Sequence, residues 1–433
     1  MVHAIIVLPG TTGTNLFANQ VVNPTPPPPT PTTPPVWIDD VFNDAENGQV
    51  SQGTALMQQN LWATLPSGSS NKNGSPSGYV ALVDAIITAA AQHNQVYNPL
   101  YTTWPTNAPP VALNSTQAWL SAPVTANCVI GFGYDWRLDN LDATAKMLQN
   151  FLYNLTTTPG NTVSQITLIG HSMGGLVSRA YLESIALSSS TKSAQDATIL
   201  GMIDQLITLG TPHLGAPMAL GPISRTLELV SGMDDVFLAF LSVIWPSLSP
   251  AGIKNLTDII DNVVNSNPWG VSTYELLPNY AFIDAGGNLP IYPYNNLPPD
   301  LIDLLNKAGL VQANLNTAIA FFNALSYGTN PNPKILYQCI YGVVDLLHRS
   351  PELKLALLDK TTTGYTFTAP STLTAVRTVG GGDLVVPATS AMFTGNKSVP
   401  AAQQHKVLGA DHLTMPSNPN IWSVVNGLLF PKS

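Results

Sequence analysis

One serine of the chain has the neighbours that a nucleophile requires. Ser172 is the centre of the run Gly170-His171-Ser172-Met173-Gly174, which fits the pattern G-x-S-x-G. Small residues two before and two after the serine let a tight strand-to-helix turn pass close to neighbouring backbone, and the turn presents the hydroxyl. The run "QITLI" ahead is strand-like and "GLVSRAYLESI" behind is helical. The sequence therefore predicts a nucleophile elbow at Ser172.

A serine hydroxyl needs a base, and His412 is the histidine best placed to serve. A histidine must take the serine's proton and a carboxylate must orient that histidine. In α/β-hydrolases the acid follows the serine and the histidine follows the acid. Of the seven histidines, His405 begins the last strand candidate, at the wrong end of the sheet, whereas His412 follows that strand. His412 is thus expected at the carboxyl edge, where such sites form.

The acid has one favoured candidate and two alternatives. Asp383 in "VRTVGGGDLVVPATS" follows an extended run, lies in a glycine-rich turn and precedes His412. Asp345 and Asp359 remain open, and Asp345 is the better of the two because it follows the strand candidate "ILYQCIYG". Asp411 adjoins His412 and is expected to point elsewhere. Asp383 is therefore the predicted acid.

Two backbone N–H groups should stabilise the oxyanion. One is expected from Met173, because it follows the serine at the start of a helix, where the helix terminus adds favourable potential. The other should come from the loop after an early strand, and "VLPGTTGTNL" supplies it with a Pro9-Gly10 turn followed by Thr11 and Thr12. Since only the backbone is used, residue type says little about which residue of this loop donates.

Six apolar runs could form the sheet that positions these residues. Each is bounded by glycine, proline or a turn, as buried parallel strands are. Helix-period segments follow some of them, such as "LDATAKMLQNFLYNL" after the second. Strand alternating with helix predicts a mostly parallel sheet covered by helices on both faces. The runs are "AIIVLPG", "NCVIGFGYDW", "QITLIGHS", "IDQLITLGTP", "KILYQCIYG" and "HKVLGADH".

Two excursions interrupt the alternation. The first contains "NPTPPPPTPTTPP" (residues 23–35), which is typical of a surface loop, with an SH3-type ligand as the alternative. The second, residues 216–333, holds the apolar helical patches "RTLELVSGMDDVFLAFLSVIW" and "LIDLLNKAGLVQANLNTAIAFFNAL". It lies between two strand candidates, where a cap would be inserted. The predicted organisation is a core of residues 1–215 and 334–433 with a mainly helical cap at 216–333.

Composition excludes several classes of protein. The chain has 433 residues, of which 45% are hydrophobic and only 9% charged, with a formal charge of −9 and no Lys/Arg cluster, so a nucleic-acid partner is not expected. Cys128 and Cys339 lie in apolar runs and are expected to be buried, inert thiols. Two cysteines are too few for a cysteine-based zinc site, and neither a metal nor a cofactor is expected.

Targeting signals give little. No apolar run reaches the length of a transmembrane segment. The opening "MVHAIIVLPG" lacks a basic start and a small-residue cleavage site, so a cytoplasmic location is the default expectation, although a mature secreted protein would look the same.

Taken together, the motifs resemble those of the lecithin:cholesterol acyltransferase-like esterases and lipases of the α/β-hydrolase fold. The resemblance is carried, in the family's order, by "VLPGTTGTNL", "FGYDWR", "LIGHSMGGLVSR", "LGTPHLGAP", "STYELLP", "GGDLVVPATS" and "HLTMPSNP". It implies Ser172 as nucleophile, Asp383 as acid and His412 as base. It also implies that Thr11 and Met173 give the oxyanion-hole amides and that residues 216–333 form the cap.

The chain departs from that family in its acid turn, in its cysteines and in the segment "TPPPPTPTTPP", which has no counterpart in the family pattern. The family's acid turn usually reads Gly-Asp-Gly-Thr-Val-Pro, whereas Asp383 is followed here by Leu384-Val385-Val386-Pro387. The cysteine pairs of the secreted animal members are absent, so their lipoprotein-binding and membrane-binding elements are not implied. In "YDWR", Asp135 and Arg137 are expected to be a structural charge pair.

The leading functional hypothesis is a serine carboxylic-ester hydrolase that forms an acyl-enzyme. An apolar cap favours a hydrophobic or acyl-chain ester. The expected partner is therefore a small-molecule ester or lipid, and the cap could also contact a lipid interface. Acyl transfer to an alcohol and phospholipase A activity are the alternatives within the same triad, and a non-catalytic binding protein is the alternative outside enzymes. The natural substrate and the oligomeric state stay open.

Overall fold

A computed structural model describes the chain in the segments given at the end of this paragraph. The proline-rich residues 23–35, the apolar patch of residues 225–245, and the alternative acids Asp345 and Asp359 lie outside the described residues. The described residues are 1–18, 39–58, 61–64, 77–105, 120, 122–187, 193–224, 248–266, 269–292, 294–325, 335–344, 361–369, 374–393 and 399–431.

The described strands form three sheets. The largest has seven strands in the order β14-β11-β8-β7-β1-β6-β4, the second has the order β10-β9-β12-β13, and the third β2-β3-β5. In chain order the strands are β1 (Val2–Leu8), β2 (Asn15–Ala18), β3 (Leu61–Thr64), β4 (Asn98–Tyr101), β5 (Thr103–Pro105), β6 (Cys128–Gly131), β7 (Val163–His171), β8 (Ile203–Leu209), β9 (Ile283–Asp284), β10 (Asn288–Leu289), β11 (Leu336–Val343), β12 (Thr361–Ala369), β13 (Thr374–Gly380) and β14 (Gln404–Leu408).

The described helices cover the central sheet and fill the connection between β8 and β11. A π-helical turn, Asn140–Thr144, precedes the fourth helix, and another, Tyr181–Ile185, follows the fifth. The helices are α1 (Asp39–Glu46), α2 (Val50–Met57), α3 (Ser77–Gln92), α4 (Ala145–Thr157), α5 (Met173–Ala180), α6 (Ala194–Met202), α7 (Leu220–Ser224), α8 (Pro250–Val264), α9 (Val271–Tyr274), α10 (Pro299–Lys307), α11 (Gln312–Ala324), α12 (Ala388–Ala391) and α13 (Pro419–Leu429).

The central sheet confirms the predicted fold class. All its strand pairs are parallel. The six strands predicted from apolar runs are β1, β6, β7, β8, β11 and β14. The seventh, β4, was not predicted, because its residues Asn98 to Tyr101 are exposed or only half-buried and lack an apolar run. Strands β4 and β14 are the two edges, so β1 and β7, which lead to the predicted site, lie inside the sheet.

Both faces of the sheet are packed, as parallel sheets require. Along β1, Ile5 and Val7 pack in an apolar cluster with α3 and α13. The alternate residues Ala4, Ile6 and Leu8 pack in a second cluster with α4 and α5. Because successive side chains of a strand point to opposite faces, the continuous apolar run "AIIVL" supplies both cores. The loop after Leu8 therefore leaves the sheet from a strand that is buried on both faces.

Helix ends agree with local sequence. Ser193 and Asp196 form a capping box at the start of α6, since each side chain accepts from the other residue's backbone N–H. At α13, Asn418 accepts from the N–H of Asn420, and Pro419 occupies the first turn, where its missing N–H is not needed. These signals fix where the helices next to the sheet begin.

The predicted cap region has its own apolar cluster. In the described part of residues 216–333, Ile223, Phe282, Leu301 and Leu315 are among its buried members. Strand β9 of this region pairs with β12, with Ile283 opposite Tyr365, so the hairpin β12–β13 joins the same small sheet. The division into core and cap stays a prediction. Among the described residues, no helix is long and apolar enough to cross a membrane.

Candidate active site

The turn at Ser172 is a strained strand-to-helix elbow. Strand β7 ends at His171 and α5 begins at Met173, and Ser172 between them has φ 52° and ψ −124°, where a residue with a side chain is rarely found. A Cβ on Gly170 would lie 2.5 Å from the Cα of Gly175, and one on Gly174 would lie 2.4 Å from the carbonyl oxygen of Leu8. The glycines of the pattern are thus required by backbone contacts on either side of the serine.

Three predicted residues meet at this elbow. His412 Nε2 lies 2.8 Å from Ser172 Oγ, and His412 Nδ1 lies 2.9 Å from Asp383 Oδ2. All three are buried, with 7%, 4% and 1% of Ser172, His412 and Asp383 exposed. The backbone N–H of His412 also donates to the carbonyl oxygen of Asp383 at 2.9 Å. The arrangement is a continuous hydrogen-bonded line along which a serine proton can pass to an imidazole that a carboxylate orients.

Asp383 lies at the carboxyl end of β11, although a long stretch of chain separates them. The N–H of Val344, the residue after β11, donates to the carbonyl oxygen of Gly382 at 3.0 Å. The other carboxylate oxygen, Oδ1, accepts from the N–H groups of Val385 at 3.1 Å and Val386 at 2.7 Å. Both oxygens of Asp383 are therefore occupied, and the side chain has one orientation.

The departure from the family's acid turn has a backbone consequence. Leu384, where that turn has glycine, adopts φ 84°, a left-handed conformation that glycine adopts at no steric cost. Its N–H donates to Thr361 Oγ1 at 2.9 Å, on the first residue of β12. The chain keeps the turn geometry at this position despite the leucine.

The loop after β1, residues 9–12, which is predicted to supply an oxyanion donor and is called the oxyanion loop below, packs directly on Ser172. A Cβ on Gly10 would lie 2.7 Å from Ser172 Cβ, so only the bare backbone fits there. The next residue, Thr11, donates its hydroxyl to Met173 Sδ at 3.6 Å, and its backbone N–H makes no hydrogen bond among the described residues. Met173 opens α5, where N–H groups have no partner within the helix. Both predicted donors are thus next to Ser172.

Two buried tyrosines that sequence reasoning missed hold this loop. The hydroxyl of Tyr134 donates to the carbonyl oxygen of Pro9 at 2.6 Å, and the N–H of Gly10 donates to Tyr79 Oη at 2.9 Å. Burial raises the pKa of both phenols above the ordinary value. Tyr134 lies in the motif "FGYDWR", but Tyr79 in "SGYVALVD" belongs to no pattern that could have indicated it.

The remaining sequence predictions concern structural groups. Asp135 and Arg137 form a buried ion pair at 2.5 Å, and the guanidinium also donates to the carbonyl oxygen of Met57 and lies 4.6 Å from the ring centre of Trp269. The charge pair predicted from "YDWR" is thus present and fully buried. The two cysteines, Cys128 and Cys339, are buried free thiols, as predicted, and burial raises their pKa values to about 12 and about 11.

Two further histidines, His405 and His213, make their hydrogen bonds to groups other than the serine hydroxyl. His405 Nε2 lies 2.8 Å from Gln338 Oε1, within the sheet. His213 stacks on Phe393 with ring centres 4.8 Å apart, and its Nε2 lies 3.0 Å from Thr208 Oγ1. Burial and the Arg179 charge lower the pKa of His213 well below the ordinary value. His213 is thus a buried polar group of the core, whereas His405 is half-buried on the edge strand β14.

One family model agrees with the motifs. A family model described as lecithin:cholesterol acyltransferase matches residues 119–230, which include the elbow. No curated protein matches.

Three solved structures illustrate the structural likeness. The chain is 13% identical to a chain of the Tle4–Tli4 complex, with 98% of each chain covered and a TM-score of 0.47. It is 15% identical to lipase 1 from Pelosinus fermentans, with 100% of this chain and 99% of that one covered and a TM-score of 0.34. It is also 15% identical to the mature lipase BlEst2 from Bacillus licheniformis, with 69% and 78% covered and a TM-score of 0.29.

The fold is evident from the molecule itself, in the parallel seven-stranded sheet and the strained turn between β7 and α5. The chain has the α/β-hydrolase fold, and the resemblance to the lecithin:cholesterol acyltransferase-like esterases and lipases that its motifs predicted is confirmed by the match over residues 119–230.

Proposed function

We propose that this protein is a serine carboxylic-ester hydrolase in which Ser172 is the nucleophile, His412 the base and Asp383 the acid. The observation that carries the proposal is the buried line of hydrogen bonds, 2.8 Å from Ser172 Oγ to His412 Nε2 and 2.9 Å from His412 Nδ1 to Asp383 Oδ2. A hydroxyl in that line can lose its proton to the imidazole as it attacks, because the carboxylate stabilises the imidazolium that forms.

The reaction proceeds through an acyl-enzyme. Ser172 Oγ attacks the ester carbonyl carbon while its proton moves to His412 Nε2, and a tetrahedral oxyanion forms. His412 then gives the proton to the leaving alkoxide, so the ester C–O bond breaks and an alcohol departs. In the second half, His412 takes a proton from water, the hydroxide attacks the acyl carbon, and the proton returns to Ser172 as the acid is released.

The oxyanion is stabilised in this proposal by the backbone N–H groups of Thr11 and Met173. Two features support the pair. The oxyanion loop packs on Ser172 at Gly10, and Met173 starts α5, whose N-terminus carries a partial positive charge. Each such donor typically contributes about 3 kcal/mol of transition-state stabilisation.

The proposed substrate is an ester with a hydrophobic or acyl-chain part. Residues 216–333 connect the neighbouring strands β8 and β11 and bring their own apolar cluster, which supports their role as a cap over the carboxyl edge. An apolar cap shelters an acyl chain from water, and the charged residues that would favour a polar substrate are only 9% of the chain. Acyl transfer is the second candidate, favoured by the description of the family model that matches residues 119–230.

The test is a chain-length series of p-nitrophenyl esters, run with and without an added alcohol as acyl acceptor. We expect hydrolysis to require Ser172 and to fall by about a million-fold in Ser172→Ala. Ser178→Ala is the matched control, because Ser178 is a buried serine of α5, the helix that Ser172 precedes, and its hydroxyl donates to the Gly174 carbonyl oxygen at 2.9 Å. Undiminished turnover in Ser172→Ala would refute the mechanism, and acylated alcohol as the main product would identify a transferase.

A further inference from the structure

A chain of hydrogen bonds runs behind the serine from the oxyanion loop to the base. It starts at the N–H of Gly10, which donates to Tyr79 Oη at 2.9 Å. Tyr79 Oη lies 2.7 Å from His171 Nδ1, and His171 Nε2 lies 2.9 Å from the carbonyl oxygen of His412. Tyr79 and His171 are 4% exposed each, so water does not compete for these bonds. The chain thus links two segments that are far apart in sequence.

The direction of every bond in this chain is fixed. The carbonyl oxygen of His412 can only accept, so His171 Nε2 carries a hydrogen. Burial, with the neighbouring His412 adding to the effect, lowers the pKa of His171 to about 3, so its ring is neutral at ordinary pH. Nδ1 of His171 is therefore an acceptor, and the Tyr79 hydroxyl donates to it while accepting from Gly10. One tautomer and one hydroxyl rotamer satisfy all three bonds.

We propose that Tyr79 and His171 are positioning residues that hold the oxyanion loop and the backbone of His412 in one fixed relation to Ser172. The inference rests on the proposed function, because it concerns how the oxyanion donor and the base are aligned. Neither residue touches the reacting atoms. Tyr79 acts through Gly10, the residue before Thr11, and His171 acts through His412.

The geometry at each end supports this role. The peptide unit that joins Pro9 and Gly10 is held at both polar groups, its oxygen by Tyr134 at 2.6 Å and its N–H by Tyr79 at 2.9 Å. The backbone of His412 is likewise held at both polar groups, its N–H by the Asp383 oxygen at 2.9 Å and its carbonyl by His171 at 2.9 Å. A displacement of Thr11 relative to the imidazole therefore has to break this chain.

Removing the Tyr79 hydroxyl tests the chain with little change in volume. Tyr79→Phe leaves the Gly10 N–H and His171 Nδ1 without partners in the interior, and the loop can then shift to satisfy them. Because preorganised donors lose most of their effect when misplaced, we expect kcat to fall by about 10- to 100-fold with KM changed by less than about twofold. Binding of an alkyl boronic acid, whose adduct on Ser172 places an oxygen at the oxyanion position, should weaken by a similar factor.

The chain itself supplies a matched control. Tyr97 Oη lies 2.7 Å from His3 Nδ1, a second tyrosine–histidine pair of the same length, near the start of β1 and away from the serine. Tyr97→Phe removes an equivalent bond, so it should lower the thermal midpoint as Tyr79→Phe does while leaving kcat within about twofold of wild type. The concentration of active sites is measured by fluorophosphonate titration, so that unfolded protein does not lower the calculated kcat.

The outcomes separate the two proposals. If Tyr79→Phe keeps wild-type kcat and boronic acid affinity, the positioning role is wrong. If Tyr79→Phe does not fold, the variants His171→Gln and His171→Phe test the positioning role instead. Glutamine retains an N–H for the His412 carbonyl, so His171→Gln should keep a higher kcat than His171→Phe. Equal kcat in the two variants overturns the inference. If wild-type protein neither hydrolyses esters nor reacts with fluorophosphonate at Ser172, the proposed function itself fails, and this inference with it.

Discussion

Asp383→Asn is the perturbation whose effect follows most directly from the site geometry. Oδ1 of Asp383 accepts two backbone N–H groups, from Val385 at 3.1 Å and Val386 at 2.7 Å, while Oδ2 faces His412 Nδ1 at 2.9 Å. An asparagine must keep its oxygen toward the two N–H donors, so its NH₂ group faces the imidazole. His412 Nδ1 then has to accept, so the ring hydrogen moves to Nε2. In that tautomer Nε2 donates toward Ser172 and cannot take the proton of the serine hydroxyl.

The size of the loss has two parts. Turning the amide over, so that its oxygen again faces His412, breaks the two bonds at Oδ1, which costs about 2–3 kcal/mol and limits the productive tautomer to about 0.5–3%. The variant also lacks the negative charge that stabilises the imidazolium, and a charge pair about 4 Å apart is worth several kcal/mol in a partly buried site. Together these predict a fall in kcat/KM of about 10³- to 10⁴-fold, as expected for a triad that has lost its acid.

Ester hydrolysis at matched concentrations of folded protein checks this prediction. Asp411→Asn is the control, because Asp411 adjoins His412 but its carboxylate accepts from the N–H and hydroxyl of Thr414, at 3.1 Å and 2.5 Å. That variant should stay within about threefold of wild type. If Asp383→Asn keeps more than a tenth of wild-type kcat/KM, or if Asp345→Asn loses as much as Asp383→Asn is expected to lose, the acid has been assigned wrongly.

Two further predictions concern stability. Burial, with the charge of Asp139 adding to the effect, raises the pKa of Glu275 well above its ordinary value of 4.5. Between pH 4.5 and that raised pKa, Glu275 therefore keeps its proton in the native protein and releases it in the unfolded chain. The free energy of unfolding falls as pH rises through this window. Glu275→Gln removes this loss, so its free energy of unfolding in urea should gain about 1.4 kcal/mol per pH unit on wild type within that window, and a constant difference would contradict the reasoning. Gly174→Ala should not accumulate as folded protein, because its Cβ would meet the Leu8 carbonyl oxygen at 2.4 Å, whereas Gly427→Ala in α13, with open space around it, should raise stability by about 0.5–1 kcal/mol in thermal melts.

The sequence predicted the sheet well where strands are fully buried. Apolar runs such as "AIIVL" and "ITLIG" became β1 and β7, because a strand packed on both faces has to be apolar throughout. The edge strand β4 was not predicted, because its residues Asn98 to Tyr101 are exposed or half-buried and so do not form an apolar run.

The candidate site was predictable in its residues and not in its supports. Ser172, Asp383 and His412 follow a chain order that the fold imposes, so a sequence can carry it. Tyr79 reaches the loop from α3, a helix whose approach depends on tertiary packing, and no spacing relates it to Gly10. The left-handed conformation of Leu384 could not be predicted either, because its φ of 84° depends on contacts that the residue type does not indicate.

The hydrogen bond between Val344 and Gly382 has a consequence for how this molecule can change. It joins the residue after β11 to the residue before Asp383, so the two ends of this connection are held together. The number of residues between Val344 and Gly382 therefore has little effect on the position of Asp383. Doubling the length of such a connection adds only about 0.6 kcal/mol of closure cost. New residues can therefore be added between β11 and β12 while the proton path at Ser172 keeps its geometry.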